Sequence, residues 1–237
     1  MRPEIKRGAI APKRNKQKEQ QDIVLDPRRS ALLIIDMQND FVSPGGYHHR
    51  QGRPCGPLQL IIPNIQQLLR SLPEEVKVIY VVTVREPDGS DNHWRFHRIL
   101  PERVRITGEA RGHDYNALRG TWGAEIVDIL EPGPGAHTVY KRRTSAFYQT
   151  DLEMRLRCWG IDTLILTGVA ADVCVESTAR DAFNRDFDII VVSDGVASGT
   201  EPICKEMLNR MAASFGAVLP AAQIRELFLP ARCPGGQ

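Results

Sequence analysis

The amino-acid sequence predicts an α/β fold, a Rossmann-like three-layer α/β/α domain with a six-stranded, mostly parallel sheet. From residue 31 onward, short apolar runs rich in β-formers alternate with helix-forming segments. This alternation is typical of a parallel sheet that is covered by helices on both faces. A length of 237 residues is within the range of one α/β unit and is enough to bury a sizeable core.

The order of the elements follows from hydrophobic periodicity. Strands are predicted at 31–36, 76–84, 137–140, 162–168 and 188–194, with a short sixth strand near 217–219. Helices are predicted near 60–72, 121–130, 149–159, 172–186, 201–215 and 220–228. Residues 85–119 show no clear period, and such a long connection in a compact domain is usually functional, so this segment is a candidate lid or substrate-recognition loop.

The two ends of the chain differ from the middle in composition. Residues 1–22 carry seven Lys and Arg against three Asp and Glu, without the apolar core of a secretory signal or membrane anchor. We expect a flexible basic leader there, with docking onto a neighbouring subunit as the alternative. Residues 231–237 are a Pro/Gly tail, so the folded domain is predicted to span 23–230.

Charge and cysteine content narrow the possible partners and the compartment. The formal charge of +2 gives no reason to expect nucleic acid or a membrane as a partner. No apolar run reaches the roughly 18 residues that a transmembrane helix needs. The cysteines have neither a disulfide framework nor a zinc-binding spacing, which favours a cytoplasmic location. They are Cys55, Cys158, Cys174, Cys204 and Cys233.

Cys174 is the candidate nucleophile, because it follows a strand–turn–helix pattern. The run Thr163–Thr167 is short, apolar and rich in β-formers, and after Gly168 the pattern becomes helical. Cys174 is therefore predicted on the first turn of a helix, with Asp172 as the N-cap. Unpaired N–H groups and the helix dipole would favour a thiolate there. For an isolated cysteine, a buried structural thiol is the alternative.

Asp36 and Lys141 are charged residues that directly follow strands. The apolar run Ala31–Ile35 ends in Asp36, and the short run His137–Tyr140 ends in Lys141. Desolvation makes an isolated charge costly at such places, so both side chains need partners. The first and fourth strands typically flank the point where strand order reverses, so we expect Asp36 to face Cys174. A simple buried ion pair of Asp36 with Lys141 is the alternative.

Three ordered motifs carry a resemblance to a known family. They are Asp-Met-Gln-Asn-Asp-Phe at Asp36–Phe41, Lys141 with Ser145–Phe147, and Gly-Val-Ala-x-x-Val-Cys at Gly168–Cys174. Together they resemble the isochorismatase-like cysteine hydrolases over roughly residues 23 to 228. Within that superfamily, the chain is most similar to amidohydrolases of ureido and carbamoyl compounds, such as biuret hydrolase, N-carbamoylsarcosine amidase and ureidoacrylate amidohydrolase.

The resemblance implies roles for individual residues. Asp36, Lys141 and Cys174 would form the catalytic triad, with Asp36 as the base and acid that moves the thiol proton. Lys141 would favour the anionic forms of both partners. The N–H groups of Ala170 and Cys174 would form the oxyanion hole, the first of them turned into the site by a cis Val169–Ala170 peptide bond.

The sequence gives little support for a metal. Nicotinamidases of this superfamily hold a metal through an Asp-x-His pattern after the second strand, where this chain has Thr83–Glu86. His93 and His97 are spaced to share a helical face, but no third ligand is evident. We expect neither a metal nor a cofactor.

Candidate substrate contacts lie next to the predicted triad. Gln38 and Asn39 follow the aspartate, and their amides match the donors and acceptors of a ureido group. Arg85 ends the second strand and could bind a carboxylate or polarise a carbonyl, unless it pairs with Glu86 or Asp88. Aromatic side chains that could form pocket walls, or belong to the core, are Phe41, Trp94, Trp122, Phe147 and Tyr148.

These residues and the resemblance predict a metal-independent cysteine amidohydrolase of a small ureido or carbamoyl compound. The alternatives are an isochorismatase-type vinyl ether hydrolase, which does not need the cysteine, and a non-catalytic partner module, which would lack part of the triad. We also expect a homodimer or homotetramer, because the resemblance implies one and residues 201 to 230 have more apolar surface than a monomer needs. The alternative is that these residues only complete the core of the subunit. The apolar residues concerned are Met207, Leu208, Met211, Phe215, Leu227 and Phe228.

Overall fold

A computed structural model describes residues 23–91 and 115–228 and confirms the α/β fold. Six parallel strands form one sheet in the order β3-β2-β1-β4-β5-β6. Each predicted strand is present, with ends that differ by three residues at most. The strands are β1 (Ser30–Ile35), β2 (Lys77–Thr83), β3 (His137–Lys141), β4 (Thr163–Val169), β5 (Asp188–Ala197) and β6 (Ala217–Leu219).

Helices cover the sheet and connect its strands. They are α1 (Asn39–Val42), α2 (Tyr47–Arg50), α3 (Gly56–Gln59), α4 (Ile62–Ser71), α5 (Leu152–Cys158), α6 (Glu176–Phe183), α7 (Glu201–Ser214) and α8 (Ala221–Leu227). A π-helical turn, Ala171–Val175, leads into α6. Three single turns are 3-10 helices at Pro27–Arg29, Trp122–Ala124 and Asp128–Leu130. The short helices α1, α2 and α3 were not predicted, because periodicity over four residues carries too little signal.

The helix predicted at 121–130 is wrong, and tertiary contacts explain why. Ile126 forms an antiparallel bridge with Gln38, and the Val127 N–H donates to the Met37 carbonyl at 3.0 Å. These bonds hold the chain extended between the two 3-10 turns, so its N–H groups are not free for a continuous helix. The segment therefore lies against the polypeptide that follows β1.

Burial on both faces explains the unbroken apolar runs of the central strands. All residues of β1 and β4 are buried. Along β1, alternate residues enter different core clusters, with Leu33 and Ile35 in one and Leu32 and Ile34 in the other. The hydrophobic core therefore has two layers, one on each side of the sheet.

The sheet topology brings the predicted site residues to one crevice. Strands β1 and β4 are neighbours although they are not consecutive, so strand order reverses between them, as predicted. Ile35 pairs with Gly168, and Thr83 of β2 pairs with Lys141 of β3. The carboxyl ends of these four strands consequently meet at the same edge of the sheet.

The apolar residues near the carboxyl terminus do not form the exposed surface that the oligomer prediction assumed. Met207 and Met211 have no exposed area, because they face the core from α7. The other apolar residues on which the oligomer prediction was based pack against the two core clusters and complete the interior of the subunit. These partly buried residues are Leu208, Phe215, Leu227 and Phe228.

Several predictions fall on residues outside the described ranges. They include the basic leader 1–22, the tail 231–237 and most of the candidate lid, with His93, Trp94 and His97. Among the helices of the described ranges, none is long and apolar enough to cross a bilayer.

Candidate active site

Asp36 lies at the carboxyl end of β1 with only 2% of its surface exposed. Its backbone has a φ of 53°, a left-handed conformation that is uncommon for a non-glycine residue and occurs preferentially at functional sites. Oδ1 accepts hydrogen bonds from the Thr83 N–H at 3.0 Å and from the Thr83 hydroxyl at 2.8 Å. Oδ2 is 2.8 Å from the Lys141 Nζ.

Lys141 is 1% exposed and brings its ammonium group to the centre of the site. Its Nζ lies 2.8 Å from Asp36 Oδ2 and 3.3 Å from Cys174 Sγ. It also donates to the Thr83 hydroxyl at 2.8 Å and to the Arg143 carbonyl at 3.1 Å. Burial alone lowers the pKa of Lys141, but the Asp36 charge and the hydrogen bonds to Asp36 and Cys174 outweigh it, so the net shift is upward. The lysine therefore stays protonated and joins the carboxylate to the thiol.

Cys174 lies in the π-helical turn before α6 and is half-buried. Burial and the neighbouring Asp36 charge raise the pKa of Cys174 to about 12, although Lys141 acts in the opposite direction. The prediction that Cys174 is a thiolate at rest is therefore not supported, because the Asp36 carboxylate is close to the sulfur. This environment favours a neutral thiol at rest. Asp172 is not the N-cap either, since its carboxylate accepts from the Ser198 hydroxyl at 2.6 Å.

The backbone before Cys174 makes a sharp turn. Gly168 has a φ of 104°, and a Cβ there would lie 2.0 Å from the Ile35 carbonyl oxygen of the paired strand. Only glycine fits this position, because β4 passes so close to the end of β1. The Val169–Ala170 peptide bond is cis, as expected. The Ala170 carbonyl accepts from the Val173 N–H at 3.0 Å and so belongs to the turn.

Thr83 is a site residue that sequence reasoning did not single out. Its hydroxyl contacts both Asp36 and Lys141, and its N–H reaches Asp36 Oδ1 and, at 2.9 Å, Gln38 Oε1. The Gln38 amide nitrogen donates to the carbonyls of Thr83 at 2.8 Å and Ala124 at 2.7 Å. Gln38 has no exposed surface. These contacts favour a positioning role for Gln38 over the predicted substrate contact.

Asn39 and Asp40 hold neighbouring loops in place. The Asn39 amide donates to the Trp122 carbonyl at 3.0 Å, and its oxygen accepts from Ser43 at 2.8 Å, so substrate contact is not favoured for this residue either. The buried Asp40 carboxylate accepts from the N–H groups of Tyr47 at 2.8 Å and Ala117 at 2.7 Å. Asp40 was not identified from the sequence. Its acidic side chain within the motif Asp36–Phe41 was the signal that could have identified it.

Arg85 is buried beyond the end of β2, where it was predicted. Its Nε donates to Asn116 Oδ1 at 3.0 Å, and its guanidinium lies 4.8 Å from the centre of the Tyr115 ring. Of the two acidic residues that were the alternative partners, Glu86 and Asp88, Glu86 binds Arg119 and Arg142, each at 2.8 Å.

Glu86 ties the segment after β2 to the segment that follows Lys141. Hydrogen bonds from Arg119 and Arg142 lower the pKa of Glu86 to about 2. A lowered pKa means that this stabilisation is present at neutral pH and is lost as the pH falls toward that value. Arg142 directly follows Lys141, so the ion pairs help to fix the position of the lysine strand.

The aromatic residues predicted as pocket walls separate into different environments. Phe147 is 5% exposed and packs 5.8 Å from the Phe187 ring, so it belongs to the core. Phe41 is partly buried, and its ring makes an edge contact with the His48 ring, with 5.1 Å between the ring centroids. Among the members of the set that the structure describes, Trp122 and Tyr148 are exposed, each at 50%.

Tyr148 lines an open groove that lies beside α6. The groove has a volume of about 610 Å³ and includes Ser145 and Ser177.

Within the described ranges, His, Cys, Asp and Glu side chains form no group of three or more that could hold a metal ion.

The chain is similar to known proteins over most of its length. The isochorismatase domain matches residues 30–223. Ureidoacrylate amidohydrolase RutB from Methylobacterium radiotolerans is 34% identical over 224 residues, covering 90% of this chain and 85% of that protein. A cysteine hydrolase from Pseudomonas syringae pv. phaseolicola has a TM-score of 0.72 at 27% identity, covering 86% and 93% of the two chains. N-carbamoylsarcosine amidase from Thermoplasma acidophilum has a TM-score of 0.63 at 28% identity, covering 81% and 96%.

Proposed function

The chain belongs to the isochorismatase family of hydrolases, and on that premise we propose that it is a metal-independent cysteine amidohydrolase. Its substrate is a small ureido or carbamoyl compound, similar to ureidoacrylate, biuret, triuret or an N-carbamoyl amino acid, in which it cleaves a non-peptide C–N bond. One observation carries the proposal. The buried Lys141 Nζ lies 2.8 Å from Asp36 Oδ2 and 3.3 Å from Cys174 Sγ.

The proposed reaction begins with a neutral thiol. Asp36 Oδ2 takes the proton from Cys174 Sγ as the sulfur attacks the substrate carbonyl carbon, and Lys141 stabilises the developing anionic sulfur. The N–H groups of Ala170 and Cys174 bind the oxyanion. Asp36 then gives its proton to the leaving nitrogen, and the C–N bond breaks. A water molecule, deprotonated by Asp36, hydrolyses the acyl- or carbamoyl-cysteine and restores the thiol.

The site supports this reaction better than the two alternatives. A vinyl ether hydrolase of the isochorismatase type does not need a nucleophilic sulfur, whereas the Cys174 thiol contacts the buried lysine here. A non-catalytic module would not need a charged pair as buried as Asp36 and Lys141, since burying such a pair is costly. At the place where nicotinamidases carry Asp-x-His, the Thr83 hydroxyl is used by this pair, which supports a reaction without a metal.

A substrate panel tests the proposal. Ureidoacrylate, biuret, triuret, N-carbamoyl amino acids, maleamate and nicotinamide would be scored for ammonia release, after dialysis against EDTA and with Cys174→Ala as the blank. We expect a ureido or carbamoyl compound to give a kcat/KM at least about 100-fold above maleamate and nicotinamide, because polar groups left unpaired by the wrong substrate cost several kcal/mol. No turnover of any ureido compound, or turnover restored only by added zinc, would contradict the proposal.

Three further properties belong to the proposal. The folded domain spans 23–230, consistent with the family match over 30–223. A cytoplasmic location fits the free thiols of the described ranges, namely Cys55, Cys158, Cys174 and Cys204. A homodimer or homotetramer stays a prediction from family resemblance, since the apolar residues first offered for it are packed into the core.

A further inference from the structure

Thr83 is the last residue of β2 and lies between the two charged groups of the site. It is 3% exposed and pairs in register with Lys141 on β3. Its hydroxyl oxygen is 2.8 Å from Asp36 Oδ1 and 2.8 Å from Lys141 Nζ. An ammonium group only donates hydrogen bonds, so the hydroxyl accepts from Lys141 and its own proton must point to Asp36. The direction of both hydrogen bonds is therefore determined.

This arrangement determines which carboxylate oxygen of Asp36 is available for proton transfer. Oδ1 already accepts from the hydroxyl and the N–H of Thr83. Oδ2 faces Lys141, whose Nζ also contacts Cys174 Sγ. A β-branched side chain has few χ1 rotamers, and Gln38 holds the Thr83 backbone from both its N–H and its carbonyl. The hydroxyl is thus held rigidly.

We infer that Thr83 is a positioning residue that holds Oδ1 of Asp36 and directs Oδ2 toward the Cys174 thiol. The inference deepens the proposed function and rests on it. The Thr83 hydroxyl contacts Asp36 and Lys141, and it acts through these two groups. In the first step the proton moves from Sγ to Oδ2, while both Thr83 hydrogen bonds to Oδ1 persist. Among the described residues, the charged and titratable side chains at the hydroxyl are Asp36 and Lys141, with Cys174 next to the lysine.

Substitution of the hydroxyl tests the inference. Thr83→Val keeps the shape but removes the hydrogen bonds, whereas Thr83→Ser keeps the hydroxyl. We expect Thr83→Val to lower kcat about 10- to 100-fold with KM changed less than about threefold, and Thr83→Ser to stay within about fivefold. Hydrogen bonds to a carboxylate favour its ionised form, so the acid limb of the pH–rate profile should move to higher pH in Thr83→Val.

Thr167→Val is the matched control. Thr167 is a buried threonine of β4 whose hydroxyl donates to the Leu33 carbonyl at 2.9 Å. Thr167→Val should lose about as much stability as Thr83→Val. Its kcat and the acid limb of its pH–rate profile should stay close to those of the parent. An equal loss of kcat in both variants, or an unmoved acid limb in Thr83→Val, would overturn the inference and assign Thr83 a structural role.

A second readout does not depend on the substrate. The rate of Cys174 alkylation by iodoacetamide, resolved from that of exposed Cys158 by peptide mass spectrometry, would be followed against pH. The low-pH limb of this profile should shift upward in Thr83→Val and stay in place in Thr167→Val. A parent protein inactive on every amide would defeat the proposed function, yet this shift would still support Thr83, and its absence would overturn the inference.

Discussion

Cys174→Ala should lose at least about 10⁴-fold in kcat/KM for the best substrate of the panel, because removal of a nucleophile removes the covalent step itself. The variant should still fold. The Asp36–Lys141 pair keeps its 2.8 Å contact, and Asp36 keeps both hydrogen bonds from Thr83. Steady-state kinetics together with thermal unfolding would separate the loss of chemistry from any loss of structure.

Cys204→Ala is the matched control for that substitution. Cys204 is also partly buried, and burial raises the pKa of its thiol as well, but its sulfur contacts the Val196 carbonyl at 3.7 Å and not a charged group of the site. We expect its kcat/KM to stay within about threefold of the parent. Activity of Cys174→Ala within tenfold of the parent would exclude Cys174 as the nucleophile.

Gly168→Ala should be the most destabilising single methyl addition in the sheet. A φ of 104° is strained for alanine, and the new Cβ would lie 2.0 Å from the Ile35 carbonyl oxygen. Strain and overpacking together should cost about 2–6 kcal/mol, since each contributes roughly 1–3 kcal/mol. For a domain of this size, we expect the Tm to fall by roughly 4–24 °C.

Two other glycines separate the causes of that loss. Gly160 has a φ of 69° but nothing within 4 Å of an added Cβ, so Gly160→Ala should show a smaller cost, from the backbone alone. Gly133→Ala, with open space and no unusual φ, should be close to neutral. If differential scanning calorimetry gave the same Tm for Gly168→Ala and Gly133→Ala, the close approach of β4 to β1 would be refuted.

The sequence was sufficient to predict the residues that depend on topology. Asp36 and Cys174 follow strands that flank the reversal of strand order, so the rules for parallel sheets bring them together. Lys141 was assigned through family resemblance, because nothing in its strand indicates that the side chain reaches past Thr83 to the sulfur. The fold was predictable for the same reason: long buried runs of β-formers leave few alternatives.

Side-chain partners were harder to predict than positions. Thr83 was missed because its role depends on the register that pairs it with Lys141, and register across two separate strands cannot be read from one strand. Gln38 and Asn39 were predicted to contact the substrate, but both are buried and their amides are hydrogen-bonded to backbone carbonyls. The thiol of Cys174 is a further case, since its pKa depends on the contact with Asp36 as well as on the helix start.

A covalent Cys174 intermediate is the central claim, and rapid-quench mass spectrometry during a single turnover tests it most directly. Enzyme in excess over substrate would be quenched in acid at successive times, with and without hydroxylamine, and the Cys174 peptide would be weighed. We expect this peptide to gain the mass of the acyl or carbamoyl group, and hydroxylamine to capture the same group as a product. Ammonia release with an unmodified Cys174 peptide at every time and no captured product would contradict it.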